Sequence, residues 1–358
     1  MPSLFDPIQL GAIAAPNRML MAPLTRGRSS RDHVPSEMMA TYYAQRASAG
    51  LIISEATGIS QQGLGFPYAP GLWTDAQTEA WKPVTEAVHR AGGRIFAQLW
   101  HMGRVVHPSF MGGERPVSAS ATTAPAYAHT YDGKQPYVEA RALRLDELPA
   151  LIGDYVRAAR NARSAGFDGV QVHAANGYLI DQFLRDGTNF RDDDYGGGPE
   201  NRIRLLREVT EAVAGEVGAD RTAVRLSPNG DTQGVIDSDP ASVFVPAAAA
   251  LSKIGIAFLE LREPGPDGSF GRTEQAKQSP AIRRVFDGPL VVNSDYRADD
   301  AQAVLDSGVA NAVSFGRTFL ANPDLPARFE RGLPLNPDVM ATWYGRGPEG
   351  YTDYPAAS

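Results

Sequence analysis

The sequence predicts a single (β/α)8 TIM barrel of the α/β class, and three observations predict it. Short apolar runs recur along the chain, amphipathic segments separate them, and polar residues gather where the runs end. The runs fall at residues 19–24, 51–55, 94–100, 169–173, 223–227, 256–261, 289–293 and 311–315. Their length and their content of Val, Ile, Leu and Phe suit strands buried on both faces. Helical patterns lie between them at 36–48, 75–90, 145–165, 199–217, 240–253 and 298–307, several opened by Ser, Asp or Pro. Eight alternating units close into a barrel whose strand C-termini, with the loops that follow, form the active face. The same alternation also admits a doubly wound open sheet.

Two segments depart from the bare repeat. Residues 4–18 precede the first strand, and Gly11 and Asn17 there suit the turn of a hairpin that closes the barrel's bottom. After the third strand, residues 105–141 make a connection far longer than a βα loop needs, carrying Tyr127, His129, Tyr131 and Tyr137. A long loop on the active face reads as a lid or substrate wall. No linker composition interrupts the chain, so residues 1–358 are expected to form one domain.

Composition narrows the chemistry. A hydrophobic fraction of 43% supplies a full core, and a net charge of −7 disfavours nucleic acid or an anionic membrane as partner. With no cysteine, disulfides, thiolate nucleophiles and Cys-ligated metals are excluded. The N-terminus Met1-Pro2-Ser3-Leu4-Phe5-Asp6-Pro7 lacks the pattern of a signal peptide, and no run approaches about 18 apolar residues. A cytoplasmic protein with a small-molecule partner is the expectation.

The fourth run ends in His173-Ala174-Ala175-Asn176-Gly177-Tyr178. Alternation along a strand puts Gln171 and His173 on one side and Val170 and Val172 on the other, which turns His173 toward the barrel mouth. Asn176 follows on the exit turn, so both side chains can donate to one oxygen, with the Tyr178 hydroxyl beside them as an acid. A lone histidine at a strand end is equally compatible with a structural role. Other strand ends add hydrogen-bonding groups: Thr25 and Arg26, Ser54-Glu55-Ala56, Gln98 with Trp100-His101, Arg225 with Ser227, and Gly316-Arg317. Asn293-Ser294-Asp295 and Gly316-Arg317 follow strands seven and eight, where such barrels commonly hold a phosphate, so a phosphorylated cofactor is expected. A structural salt bridge is the other reading of Arg317.

Several patterns are decoys. Gly345-Arg346-Gly347-Pro348-Glu349-Gly350 fits a dinucleotide glycine pattern but has no βαβ unit after it. Arg191-Asp192-Asp193-Asp194 lacks calcium-loop spacing, and His33, His89, His101, His107 and His129 lack metal-ligand spacing, so no metal is expected.

Taken together these residues resemble the old yellow enzyme family of FMN-dependent ene-reductases, a group that includes N-ethylmaleimide, pentaerythritol tetranitrate and morphinone reductases. Ala22-Pro23-Leu24-Thr25-Arg26, Ser54-Glu55-Ala56-Thr57, Gln98-Leu99-Trp100-His101 and His173 to Tyr178 carry the resemblance. It continues through Asp181-Gln182-Phe183-Leu184, Arg225-Leu226-Ser227-Pro228, Phe315-Gly316-Arg317 and Gly350-Tyr351-Thr352-Asp353-Tyr354-Pro355.

The resemblance implies that Pro23, Leu24, Thr25 and Ala56 line the flavin ring, that Gln98 binds its pyrimidine side, and that Arg225 lies near N1 and O2. Asn293, Ser294, Gly316 and Arg317 would hold the phosphate, mainly through backbone. Relatives are often glycine-rich where this chain reads Asn293-Ser294-Asp295, and an acid suits a phosphate site only if it turns away. His173 and Asn176 would bind the oxygen of an activated alkene and Tyr178 would protonate its α-carbon, with Trp100, Phe66, Tyr344 and the loop tyrosines shaping the substrate pocket. NADPH or NADH would be the reductant. An enone or enal would be the substrate, with nitroalkenes and nitrate esters as further candidates. A flavin-free barrel hydrolase and a non-catalytic flavin redox sensor are the alternatives; the first lacks a GxSxG elbow, a thiol and a metal set. Monomer and homo-oligomer stay equally open.

Overall fold

In the computed structural model, which describes residues 1–268 and 271–357, eight parallel strands close into a barrel. In chain order they are Met19–Met21, Leu51–Gly58, Ile95–Trp100, Gly169–Ala174, Thr222–Leu226, Phe258–Arg262, Leu290–Asn293 and Ala312–Phe315. Each pairs with the next, and the eighth pairs with the first through Val313 opposite Met19. Every strand predicted from the apolar runs is present.

Alternation along the strands sorts their side chains into two cores. Ile52, Leu99, Val172, Val224, Leu261 and Val313 point outward and pack with the helices. Leu20, Leu51, Ile53, Phe96, Ala223, Phe258, Val291 and Ala312 fill the lower barrel interior. The hairpin Ile8–Leu10 with Ile13–Ala15 adds Leu10, Ile13 and Ala15 to this inner cluster and so closes the bottom. Its turn needs Gly11, which sits at φ +59°, where an added Cβ would lie 2.1 Å from the Asp220 carbonyl oxygen. Asn17, by contrast, is not part of that turn. Its amide donates to the Ser48 carbonyl and its oxygen accepts from the Met19 N–H, which starts the first barrel strand.

The helices follow their predicted periods, with ends that shift by a few residues in several of them. The second spans Asp75–Arg90, and its Thr74 cap accepts from the Gln77 N–H. The third opens with a tight turn at Leu145–Glu147 before Leu148–Ser164, and the predicted 199–217 helix is divided into Pro199–Arg202 and Arg204–Val217.

Residues 105–141 are more ordered than a loop. Val117–Ser118 pairs in parallel with Arg141–Ala142, and Tyr127–Thr130 forms a hairpin with Gly133–Pro136. Ala128 and Thr130 are buried while Tyr127 and His129 face out, a period of two that is present in the sequence itself.

Candidate active site

The upper barrel interior is polar, and it is a connected floor. The Gln98 amide donates to Gln171 Oε1 at 2.8 Å, and Gln171 in turn donates to Glu260 Oε2 at 2.7 Å. Ser314 donates to the other Glu260 oxygen. The Arg225 guanidinium stands 3.5 Å from Glu260 and donates to Asn293 Oδ1 at 2.7 Å. Each member projects inward because it shares register with its neighbours: Gln171 lies opposite Gln98, and Arg225 opposite Glu260.

Above this floor opens a cleft. Pro23, Leu24, Thr25, Ala56, Gln98, Trp100, His173, Asn176, Tyr178, Arg225, Asn293, Ser294, Gly316, Arg317 and Tyr344 all line it, so sequence positions more than 300 apart meet at one surface. A bulge in the second strand brings Ala56 there. Ile53 pairs with Phe96 but Ala56 with Gln98, so the alternation slips and Glu55 is turned away from the cleft. Glu55 instead accepts from the Arg26 N–H at 3.1 Å and lies 3.4 Å from the Tyr43 hydroxyl.

Four expected mouth residues lie outside this lining. The Ser54 hydroxyl accepts from the Gln98 N–H at 3.1 Å. Glu55 braces the loop after strand one. The fully buried His101 ring accepts from the Gly103 N–H at 3.1 Å, and Ser227 accepts from the Asn176 N–H at 2.7 Å. Phe66 is not in the cleft lining; it packs behind Tyr344, with ring centroids 5.3 Å apart. Tyr127, His129, Tyr131 and Tyr137 also lie outside the lining, with Tyr131 packed on Phe110 and Tyr68.

Trp343, Arg262 and Tyr296 line the cleft without having been expected. Trp343 reaches it because Arg26 and Arg28 both donate to its carbonyl oxygen, which folds the C-terminal segment over the strand ends. Arg262 was legible as the last residue of the sixth run plus one, a strand-end cation like Arg225. Burial and the neighbouring Arg225 charge push its guanidinium down to about 10.

A buried His173 and a half-buried Tyr178 share one corner, with Trp100 on the far edge of the Tyr178 ring at 5.0 Å. Burial, reinforced by the Arg225 and Arg262 charges, drives the His173 imidazole well below its ordinary range, so it is neutral. Burial, with the Tyr137 and Tyr344 phenols nearby, raises the Tyr178 hydroxyl, so it stays protonated. Among the described residues, His173 Nδ1, Asn176 Oδ1, Arg225 Nε and the indole nitrogens of Trp100 and Trp343 are buried without a hydrogen-bond partner. Leaving such atoms unpaired costs about 1–3 kcal/mol each, a cost that a bound ligand relieves.

At the other end, Ser294 and Asp295 take positive φ values of +131° and +52°, which turns the chain back over the mouth. Asp295 faces Arg317, which donates to its carboxylate. The acid is thus offset by the predicted phosphate-site arginine instead of opposing a phosphate alone. Gly316 leaves the adjacent backbone approachable, since a Cβ there would meet only Leu24, at 3.4 Å.

A long cleft with a polar floor, a buried guanidinium at its centre, backbone turns at one end and the His173–Asn176–Tyr178 corner at the other fits FMN. Fold and site together define a flavin-dependent barrel oxidoreductase. The model of the NADH:flavin oxidoreductase / NADH oxidase family matches residues 3–336. An old yellow enzyme homologue from Zymomonas mobilis is 66% identical, with a TM-score of 0.98 and 99% of each chain covered. A structure of morphinone reductase in complex with tetrahydroNAD is 46% identical, with a TM-score of 0.94 over 100% of this chain and 98% of that one. The 12-oxophytodienoate reductase 1 of Oryza sativa subsp. japonica is 43% identical over 98% of this chain and 92% of its own.

The chain belongs to this family: it is an NAD(P)H-dependent flavin oxidoreductase of the old yellow enzyme kind, with FMN as its cofactor. The hydrolase and redox-sensor alternatives are not favoured. Among the described residues, no helix is long and apolar enough to cross a membrane.

Proposed function

We propose that the enzyme reduces the C=C bond of α,β-unsaturated carbonyl compounds, with nitroalkenes and nitrate esters as further substrates, and that residues 1–358 act as one cytoplasmic barrel domain. The observation that carries this reading is the corner where a buried, neutral His173, the Asn176 amide and a protonated Tyr178 face one cleft. Pro23, Leu24, Thr25, Ala56, Gln98 and Arg225 would hold the FMN ring, and the backbone at Asn293, Ser294, Gly316 and Arg317 its phosphate. FMN, when bound, supplies hydride chemistry between the nicotinamide and the alkene β-carbon.

The chain's own residues do the rest. His173 and Asn176 donate to the substrate oxygen, where negative charge develops as the β-carbon is reduced. Tyr178 delivers its hydroxyl proton to the α-carbon. The Arg225 guanidinium stabilises negative charge at the N1 side of the ring, while Glu260 beneath it keeps the cation oriented. Trp100 and Tyr344 wall the substrate space.

Purified protein tests this directly. A yellow holoenzyme that NADPH or NADH bleaches and cyclohexenone re-oxidises, yielding cyclohexanone, is expected. A colourless protein that takes up no FMN would sink the reading.

A further inference from the structure

Asn176 sits in a backbone conformation that asparagine tolerates but does not favour. Its φ is +59°, and Gly177 follows at +77°, so two successive left-handed residues join His173 to Tyr178. The turn is held from the neighbouring fifth strand. The Ser227 hydroxyl oxygen accepts the Asn176 N–H at 2.7 Å, and the hydroxyl proton goes to Asp181 Oδ2 at 3.2 Å. The same Asp181 oxygen accepts the Gly177 N–H at 2.9 Å.

A carboxylate offers no proton, so the direction is set: Asp181 takes the Ser227 proton and leaves a Ser227 lone pair for Asn176. Asp181 is itself pinned by Arg185 Nε at 2.8 Å in an ion pair that is 0% and 1% exposed. Arg185 also donates to the carbonyls of Ser227 and Gly230, which ties the pair to the end of strand five. A buried ion pair is a poor source of stability compared with apolar packing, but it fixes geometry. Ser227 lies two residues beyond Arg225, so the network fixes the Asn176 turn against the strand that carries the flavin-facing cation.

We infer that Ser227, aligned by Asp181 and Arg185, is a positioning residue for the carbonyl-binding amide of Asn176, an assignment that rests on the function proposed above. It touches no reacting atom; it acts through the Asn176 backbone.

The test compares Ser227→Ala, Ser227→Thr, Asn176→Ala and the Ser227→Ala/Asn176→Ala double variant as FMN-loaded holoenzymes. FMN content, melting temperature and the oxidative half-reaction with varied cyclohexenone are measured on each. Ser227→Ala is expected to keep FMN and fold while raising the half-saturating cyclohexenone concentration roughly three- to tenfold, the scale of one lost hydrogen bond. The limiting rate should move less, Ser227→Thr should restore the wild-type value, and the double variant should be no worse than Asn176→Ala. Should Ser227→Ala not fold, Ser227→Cys, a weaker acceptor of similar shape, carries the same comparison. Wild-type saturation in the Ser227 variant, or a penalty fully additive with Asn176→Ala, overturns the assignment alone. A wild-type holoenzyme inert toward cyclohexenone overturns the functional reading and this assignment with it.

Discussion

The imidazole of His173 meets the phenol ring of Tyr178 edge-on, with centroids 5.1 Å apart and planes at 74°. Each ring helps to bury the other, and burial pushes their ionisations in opposite directions, away from neutral pH.

The first consequence is a flat pH profile. His173 stays neutral and Tyr178 stays protonated, so the rate of alkene reduction by pre-reduced enzyme should be constant from about pH 6 to 9. Stopped-flow measurements across that window check it. A break near the ordinary histidine value would show that His173 protonates in the site.

The two roles separate by mutation. His173→Ala or Asn176→Ala should each raise the barrier to alkene reduction by about 2.7–4 kcal/mol, the cost of losing one donor to a developing oxyanion. Tyr178→Phe keeps the ring contacts with His173 and Trp100 and removes only the proton. It should slow re-oxidation by cyclohexenone while leaving reduction by NADPH near wild type, which single-turnover traces of each half-reaction distinguish.

On the proposed placement of the flavin, Arg225 would serve both redox tuning and stability. A unit charge pair at about 4 Å and an effective dielectric of about 20 interacts by roughly 4 kcal/mol, so Arg225→Ala should lower the two-electron potential by up to about 90 mV. The same change strands the buried Glu260 carboxylate, at a cost of about 3–5 kcal/mol. Adding Glu260→Gln should recover much of the stability but not the potential. Spectroelectrochemistry and urea unfolding read the two effects independently.

Acid sensitivity has a source outside the site. Burial pushes His101 down to about 3 in the folded chain, against about 6.5 unfolded. Below pH 6.5 the unfolded chain therefore holds a proton that the folded chain lacks, so this stability is complete above 6.5 and declines as pH falls. From pH 6.5 to 5 the loss is about 2 kcal/mol from His101 alone, with His173 acting in the same sense. Urea midpoints at pH 7 and pH 5 should fall less for His101→Asn than for wild type, whatever that variant costs at pH 7.

The barrel was legible because burial on both faces of a parallel strand demands apolar runs, and eight such runs are written plainly from Met19 to Phe315. The meeting of His173, Asn176 and Tyr178 at the cleft was legible for a similar reason: they lie within six residues, where strand alternation and one turn decide their directions. Chain spacing carries no comparable signal for Glu55, Ser227 or Phe66. A bulge between Ile53 and Ala56 reverses which neighbour faces the mouth, and such a slip is a property of two paired strands, not of one. Ser227 is claimed by Asn176 and Asp181, and Asp295 by Arg317, through hydrogen bonds between segments far apart in sequence. The sequence by itself determined the barrel, the flavin chemistry and the kinds of group at the mouth. Only the closed tertiary structure decided which of those groups face the cleft and which brace them, because a polar side chain near several strand ends turns to whichever partner leaves fewest buried atoms unpaired.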